Sequence, residues 1–293
     1  MKPKKTLVAG IDFSNSSPLV LRHAVKAAQA AGAELVAVHV LDGHRIDYIS
    51  SSRSEMPAAD VLKKQAQEKF DRLLSGVAPG AEVQFRVETG KPAEGIARVL
   101  EETSADLLVI GANDMTKKRL GSIAAGCVRT APCDVLVLRD WQGGEFRKIV
   151  VCDDFSTTAS KAIATAAALA RNQGASLKIV NVMYPPGLDN WGAVLEHRAD
   201  SPLSYSDECH SRVNAKMEKS LAPHQEALAG LDYEARVLEN DNSASAITSY
   251  VASEGADLVV LGTRGHSKLA SYFLGTNAER LLHDLPVSVM AVR

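Results

Sequence analysis

The residues with the clearest capacity for chemistry lie late in the chain, in Gly262-Thr263-Arg264-Gly265-His266-Ser267-Lys268-Leu269-Ala270-Ser271-Tyr272-Phe273-Leu274-Gly275-Thr276-Asn277-Ala278. An apolar run, Asp257 to Leu261, precedes them, and a helix-forming stretch, Ala278 to His283, follows. A turn that leaves a strand and enters a helix suits an anion, because the first backbone N–H groups of the helix are unpaired and its dipole favours negative charge. Gly262 and Gly265 allow positive φ and close approach of backbone to a phosphate. The Thr276 hydroxyl adds a donor. The spacing is Gly, two residues, Gly, nine residues, Gly, then Ser or Thr. It matches neither the P-loop nor the dinucleotide fingerprint. Without a ligand the same residues read as an ordinary β–α loop that carries glycines.

A second group, Cys152-Asp153-Asp154-Phe155-Ser156, closes another apolar run, Lys148 to Val151. In an open parallel sheet a ligand lies beyond the C-terminal ends of the strands where the strand order reverses, so two such groups can face one site. Asp154 fits either a ligand contact or an N-cap or Asx-turn at the entry to its helix. Arg264 and Lys268 can supply positive charge to a phosphate or be solvated loop bases. His266 carries the same two readings.

Taken together, these motifs resemble the ATP-binding signature of the universal stress protein family. The resemblance implies ATP in this half of the chain, with the acidic residue after the first strand falling on Asp154 and its neighbours Asp153, Phe155 and Ser156 flanking the adenine. It implies the base against Val182 or Met183, the ribose against Gly262 and Thr263, and the phosphates among Gly265, His266, Gly275, Thr276, Asn277 and Ala278. Asp154 is then the acidic candidate for a Mg2+ contact.

Positioning such residues requires strands and helices in strict alternation, and the chain writes that unit twice. Leu7-Val8-Ala9-Gly10-Ile11-Asp12-Phe13-Ser14 matches Ile149-Val150-Val151-Cys152-Asp153-Asp154-Phe155-Ser156, with Asp-Phe-Ser identical. The match continues through Gly32-Ala33 against Gly174-Ala175, Ala105-Asp106-Leu107 against Ala256-Asp257-Leu258, Gly111 against Gly262, and Gly121-Ser122 against Gly275-Thr276. Repetition on this scale sets the architecture. The seam is Trp141-Gln142-Gly143-Gly144-Glu145, so domains are expected at 1–141 and 145–293. Short β-branched runs, such as Thr6 to Ile11 and Glu34 to Leu41, alternate with Ala-rich stretches, such as Leu19 to Ala31 and Ala159 to Asn172. The expectation is an α/β protein of two tandem repeats, each an open five-stranded parallel sheet with helices on both faces. The family resemblance supplies the strand order 3-2-1-4-5.

The first copy departs from the signature. Its loop runs Gly111-Ala112-Asn113-Asp114-Met115-Thr116-Lys117-Lys118-Arg119-Leu120-Gly121-Ser122, with Asp114 where the second glycine belongs and a span three residues shorter. A carboxylate and a Cβ at the closest phosphate approach both oppose a triphosphate. The second repeat is therefore expected to hold ATP, and the first to be empty, weak or altered in ligand.

Composition narrows the rest. With 46% hydrophobic and 23% charged residues and a formal charge of −2, the chain reads as soluble and globular, with no global attraction to nucleic acid or an anionic membrane. No stretch approaches the ~18 apolar residues of a membrane span. Cys127, Cys133, Cys152 and Cys209 show no framework spacing, which suits a reducing cytoplasm. Cys209-His210 with His197 and His224 lacks metal-ligand spacing. The long connections Asp42 to Pro57 and Tyr184 to Pro202, the latter with Trp191, read equally as lids or disordered tips.

Three functions follow as expectations. The first is a cytoplasmic ATP-binding regulatory protein, with at most slow ATP hydrolysis because no catalytic base or Walker-type lysine accompanies the loop. The second is an adenylyl-transferring or ATP-hydrolysing enzyme on the same fold, disfavoured by Asp-Phe-Ser where a His-x-Gly-His motif would stand. The third is a structural pseudo-dimer with both pockets vestigial. Family members dimerise through their last strands, which suggests Val135 to Leu138 against Val287 to Met290 within one chain, and leaves a homodimer of chains open.

Overall fold

The computed structural model describes residues 5–43, 58–112, 120–139, 143–185, 202–263 and 275–293, with backbone alone at 58, 202–205, 276 and 277. The first repeat runs β1 (Thr6–Gly10), α1 (Ser17–Ala31), β2 (Glu34–Leu41), α2 (Ala58–Val77), β3 (Gln84–Thr89), α3 (Pro92–Glu102), β4 (Leu107–Gly111), α4 (Ser122–Thr130) and β5 (Asp134–Leu138). The second runs β6 (Lys148–Cys152), α5 (Thr157–Gln173), β7 (Ser176–Met183), α6 (Pro202–Leu221), a 3-10 turn (Ala222–His224), α7 (Gln225–Leu228), β8 (Tyr233–Glu239), α8 (Ser243–Glu254), β9 (Leu258–Gly262), α9 (Thr276–Asp284) and β10 (Ser288–Val292).

Numbered within its own repeat, each set of five strands follows the order 3-2-1-4-5, as expected. In the first, β1 pairs in parallel with β2 (Val8 opposite Val36) and with β4 (Val8 opposite Leu108). In the second, β6 pairs in parallel with β7 (Val150 opposite Lys178) and with β9 (Val150 opposite Val259). Chain contacts group 1–144 with 286–291 and Arg293 as one compact unit, and 145–285 with Val292 as the other. Within the first unit β10 runs antiparallel to β5, Met290 facing Leu136. There the Ser288 hydroxyl donates to the Arg139 carbonyl at 3.2 Å and accepts its N–H at 3.1 Å.

The helices form where the apolar residues recur at the helical period. Along α1, Val20, Leu21, Ala24, Val25 and Ala28 are buried; along α5, Ala159, Ala162, Ile163, Ala166, Ala167 and Ala170. A face of alanines lets α5 sit close on the sheet. Gly32 and Gly174 end the two helices in the left-handed region, φ 59° and 66°, which lets their N–H groups turn back onto the last-turn carbonyls. The central strands β1, β4, β6 and β9 are buried through their middles because helices cover both faces. By contrast β8 carries Tyr233, Glu234, Arg236 and Glu239 at a sheet edge, where charge discourages pairing with another chain.

Local departures from the sequence reading are small. The helical turns at Ala222–Leu228 were not anticipated. Among the described residues no helix is long and apolar enough to cross a membrane. All four cysteines are free; burial pushes the Cys127, Cys133 and Cys152 thiols up to about 12, and of these Cys127 and Cys133 are core groups while Cys152 is half-buried at the end of β6.

Candidate functional site

The candidate site of the second repeat starts where β6 stops. Asp153 N–H continues the sheet by donating to Val180 O at 2.8 Å, and the chain then turns sharply through Phe155, whose φ is +63°. A bulky residue in this region is strained, so the turn must be held from outside. Asp153 and Asp154 do this together. Asp153 Oδ1 accepts Phe155 N–H at 2.8 Å, and Asp154 Oδ1 accepts Ser156 N–H at 3.0 Å, an Asx-turn. Ser156 caps α5 by accepting Ala159 N–H at 3.1 Å. Of the two readings open for Asp154 the Asx-turn is therefore present, and the cap falls to Ser156.

The two carboxylates live in different surroundings. Asp154 is exposed, whereas Asp153 is 2% exposed and its Oδ2 makes no hydrogen bond among the described residues. Burial pushes the Asp153 carboxyl above the usual carboxylate range; the Ser220 hydroxyl, which approaches without meeting hydrogen-bond geometry, and Phe155 N–H offset part of that rise. Asn181, in the middle of an apolar strand, donates from Nδ2 to the Asp153 carbonyl at 2.8 Å. At the end of β7, Val182 is half-buried and Met183 buried.

The third side of the site is the end of β9. Gly262 does not take positive φ, contrary to the role expected of it. Its requirement is space: a Cβ there would lie 2.9–3.0 Å from Thr158 Oγ1, Cβ and the Thr158 carbonyl carbon, inside the first turn of α5. Thr263 is buried, with its hydroxyl donating to Val292 O at 3.0 Å. Its carbonyl accepts Gly275 N–H at 3.3 Å, so the two ends of the intervening loop are clasped together. Gly275 is the N-cap of α9 with φ −60° and ψ 143°, and Thr276, Asn277 and Ala278 form the first turn. Gly265 and His266, like Arg264, Lys268, Trp191 and the first repeat's Asn113 to Arg119, lie outside the described residues.

The first repeat reproduces the backbone of this frame, without the Asp153 bond to Phe155 N–H or a side-chain cap on α1. Ile11 N–H donates to Val38 O at 2.8 Å; Phe13 has φ +60°; Asp12 Oδ1 accepts Ser14 N–H at 2.9 Å. Gly121 N–H donates to Ala112 O at 3.3 Å, matching the Gly275 clasp. His39 takes the place of Asn181, its Nδ1 lying 2.7 Å from Ile11 O. A carbonyl can only accept, so Nδ1 carries the proton. Burial pushes the His39 pKa down despite the Ile11 carbonyl and Asp12, which keeps the ring neutral at pH 7. Asn181 and His39 were both missed from sequence. The available signal was a polar residue at matched places in two apolar strands.

A scan against family models matches the universal stress protein family twice, over residues 4–139 and 145–293. A universal stress protein of Thermus aquaticus is 32% identical over 148 residues, spanning 50% of this chain and 99% of its own length. One of Methanocaldococcus jannaschii is 28% identical over 139 residues, 46% of this chain and 82% of the relative. Among solved structures, a universal stress protein from Archaeoglobus fulgidus superposes with a TM-score of 0.70 at 17% identity, covering 98% of this chain and 96% of that one. At that identity it speaks for the fold.

Proposed function

Since this chain belongs to the universal stress protein family, we propose that it is an ATP-binding regulatory protein whose second repeat holds the nucleotide and whose bound state alters its shape or its partners. The observation that carries this reading is Gly275. Its backbone angles suit any residue, and no described atom lies within 4 Å of where its Cβ would be, so among the described residues neither strain nor packing asks for glycine at the mouth of α9. A phosphate approaching the first N–H groups of a helix does ask for it. The matching arrangement of β6, β9 and α9 at the reversal of strand order supports the same place.

In this reading the adenine lies against Val182 and Met183 beside Asp153, Asp154, Phe155 and Ser156, and the ribose over the backbone of Gly262 and Thr263. The phosphates lie among Gly265, His266, Gly275, Thr276, Asn277 and Ala278, with Mg2+ near the exposed Asp154. The chain acts in the cytoplasm as a regulator rather than an enzyme, with hydrolysis slow at most, and its two repeats serve as each other's dimer partner. Mass analysis of nucleotide released from the purified chain, with calorimetric titration of ATP, tests it. One ATP per chain is expected. No bound nucleotide and no thermal shift with ATP would overturn the binding, and rapid steady-state phosphate release would overturn the non-enzymatic role.

A further inference from the structure

The first repeat contains a cleft of about 100 Å³ at its own reversal of strand order. Its walls are aliphatic, chiefly Ile11, Val40, Ile96, Ile110 and Ile123, and its floor includes the buried Ala124. Among the described lining residues Asp12 is the one charged side chain, and its Oδ1 is already taken by Ser14 N–H and by the Ser17 hydroxyl at 2.9 Å. Among the described residues, an anion entering here meets a carboxylate and apolar walls, which disfavour it.

His39 also lines the cleft. With Nδ1–H committed to Ile11 O, the neutral ring keeps its acceptor lone pair on Nε2, which makes no hydrogen bond among the described residues. Phe13 packs against the ring at 4.7 Å between centroids and is itself outside the lining, so the imidazole is fixed in orientation. A dry apolar cavity of ~150 Å³ holds a six-membered aromatic ring, and this cleft is somewhat smaller.

We propose that this cleft binds a small, uncharged, largely apolar molecule that presents one hydrogen-bond donor to His39. A heteroaromatic ring with a single N–H has that chemistry. The two repeats of one chain then take ligands of opposite character, and the inference stands whether or not the second repeat holds ATP.

The test is methyl NMR on the full chain with labelled isoleucine, titrated with pyrrole, a single ring with one N–H. Pyrrole is expected to shift the δ1 methyls of Ile96, Ile110 and Ile123 to saturation and leave those of Ile163, Ile179 and Ile247, in the second repeat, in place. ATP is expected to leave the first three unmoved, and N-methylpyrrole to bind about 5-fold more weakly than pyrrole, the worth of one hydrogen bond. Ala124→Leu, which fills the cleft, should abolish the pyrrole shifts while the Ile163 and Ile179 signals report an intact fold. Should that variant not fold, His39→Leu should instead erase the difference between pyrrole and N-methylpyrrole. The proposal is overturned if pyrrole moves none of the three methyls, if ATP moves them as far, if the two pyrroles bind alike to the parent chain, or if the shifts survive Ala124→Leu.

Discussion

At the position that follows the first strand of its repeat, one half of the chain carries Ile11 and the other Asp153, and the backbone around them is almost the same. Both accept a side-chain contact at the carbonyl from the second strand, both are followed by a left-handed Phe, and both face a loop clasped by a glycine N–H. What differs is what the frame surrounds. Both carry an exposed carboxylate, Asp12 or Asp154, and a glycine N-cap, Gly121 or Gly275; the described part of the first site is otherwise aliphatic with a neutral imidazole, whereas the second carries the buried Asp153 carboxyl. The scaffold, where any change disturbs the sheet, is alike in the two copies, and the lining is where they differ.

The largest effect is expected from copying the first repeat's loop into the second. Gly265→Asp puts the counterpart of Asp114 at the phosphates, and calorimetry should show ATP binding weakened by about 30-fold or more, or roughly 2 kcal/mol. The reverse change, Asp114→Gly, should not create a second ATP site, because the first loop remains three residues shorter. If it does create one, loop length is irrelevant and the comparison rests on charge alone.

Next come the glycines at the strand ends. A Cβ at Gly262 meets the Thr158 carbonyl carbon and Cβ at 3.0 Å, and a Cβ at Gly111 meets Ser16 Cβ at 2.9 Å as well as its Oγ; rotation about χ1 can move the hydroxyl but not the Cβ. Denaturant unfolding should therefore show Gly262→Ala and Gly111→Ala each costing about 2–3 kcal/mol. A loss at one position alone would mean that the two helix entries are not packed as alike as their contacts indicate.

The smallest effects are in pH dependence, with opposite signs in the two halves. The folded pKa of His39 is lowered, so its contribution to stability is full above the unfolded value of 6.5 and is lost as pH falls through the folded one. His39→Asn, which imports the residue of the second repeat, should improve on the parent most in acid. The Asp153 carboxyl is raised, so its contribution is present below the unfolded value of 3.8 and is lost as pH rises through the folded one. Asp153→Asn keeps an oxygen for Phe155 N–H and should therefore gain about 2 °C in Tm at pH 8 and nothing near pH 3. Parallel melting curves over pH separate the two.

Much of this was legible in the sequence. The duplicated Asp-Phe-Ser and the matched glycines fixed the repeats, and alternating β-branched and Ala-rich stretches fixed the sheet, because both signals are local and periodic. Packing was less legible. Gly262 reads as a turn glycine but serves a close contact with a helix more than a hundred residues earlier, which spacing does not encode. Asp153 and Asp154 are chemically identical in the sequence, and only strand direction decides that one is buried. The cleft of the first repeat is built from common aliphatics that individually carry no signal.

The glycine clasps have one more consequence. Because Gly121 on Ala112 and Gly275 on Thr263 are joined at the same 3.3 Å, strand end and helix start meet at one spacing in the two repeats, although different numbers of residues separate them in sequence. Residues 264–274 can thus be grafted between Ala112 and Gly121 without re-registering a strand, turning a naturally lopsided chain into one with two alike mouths.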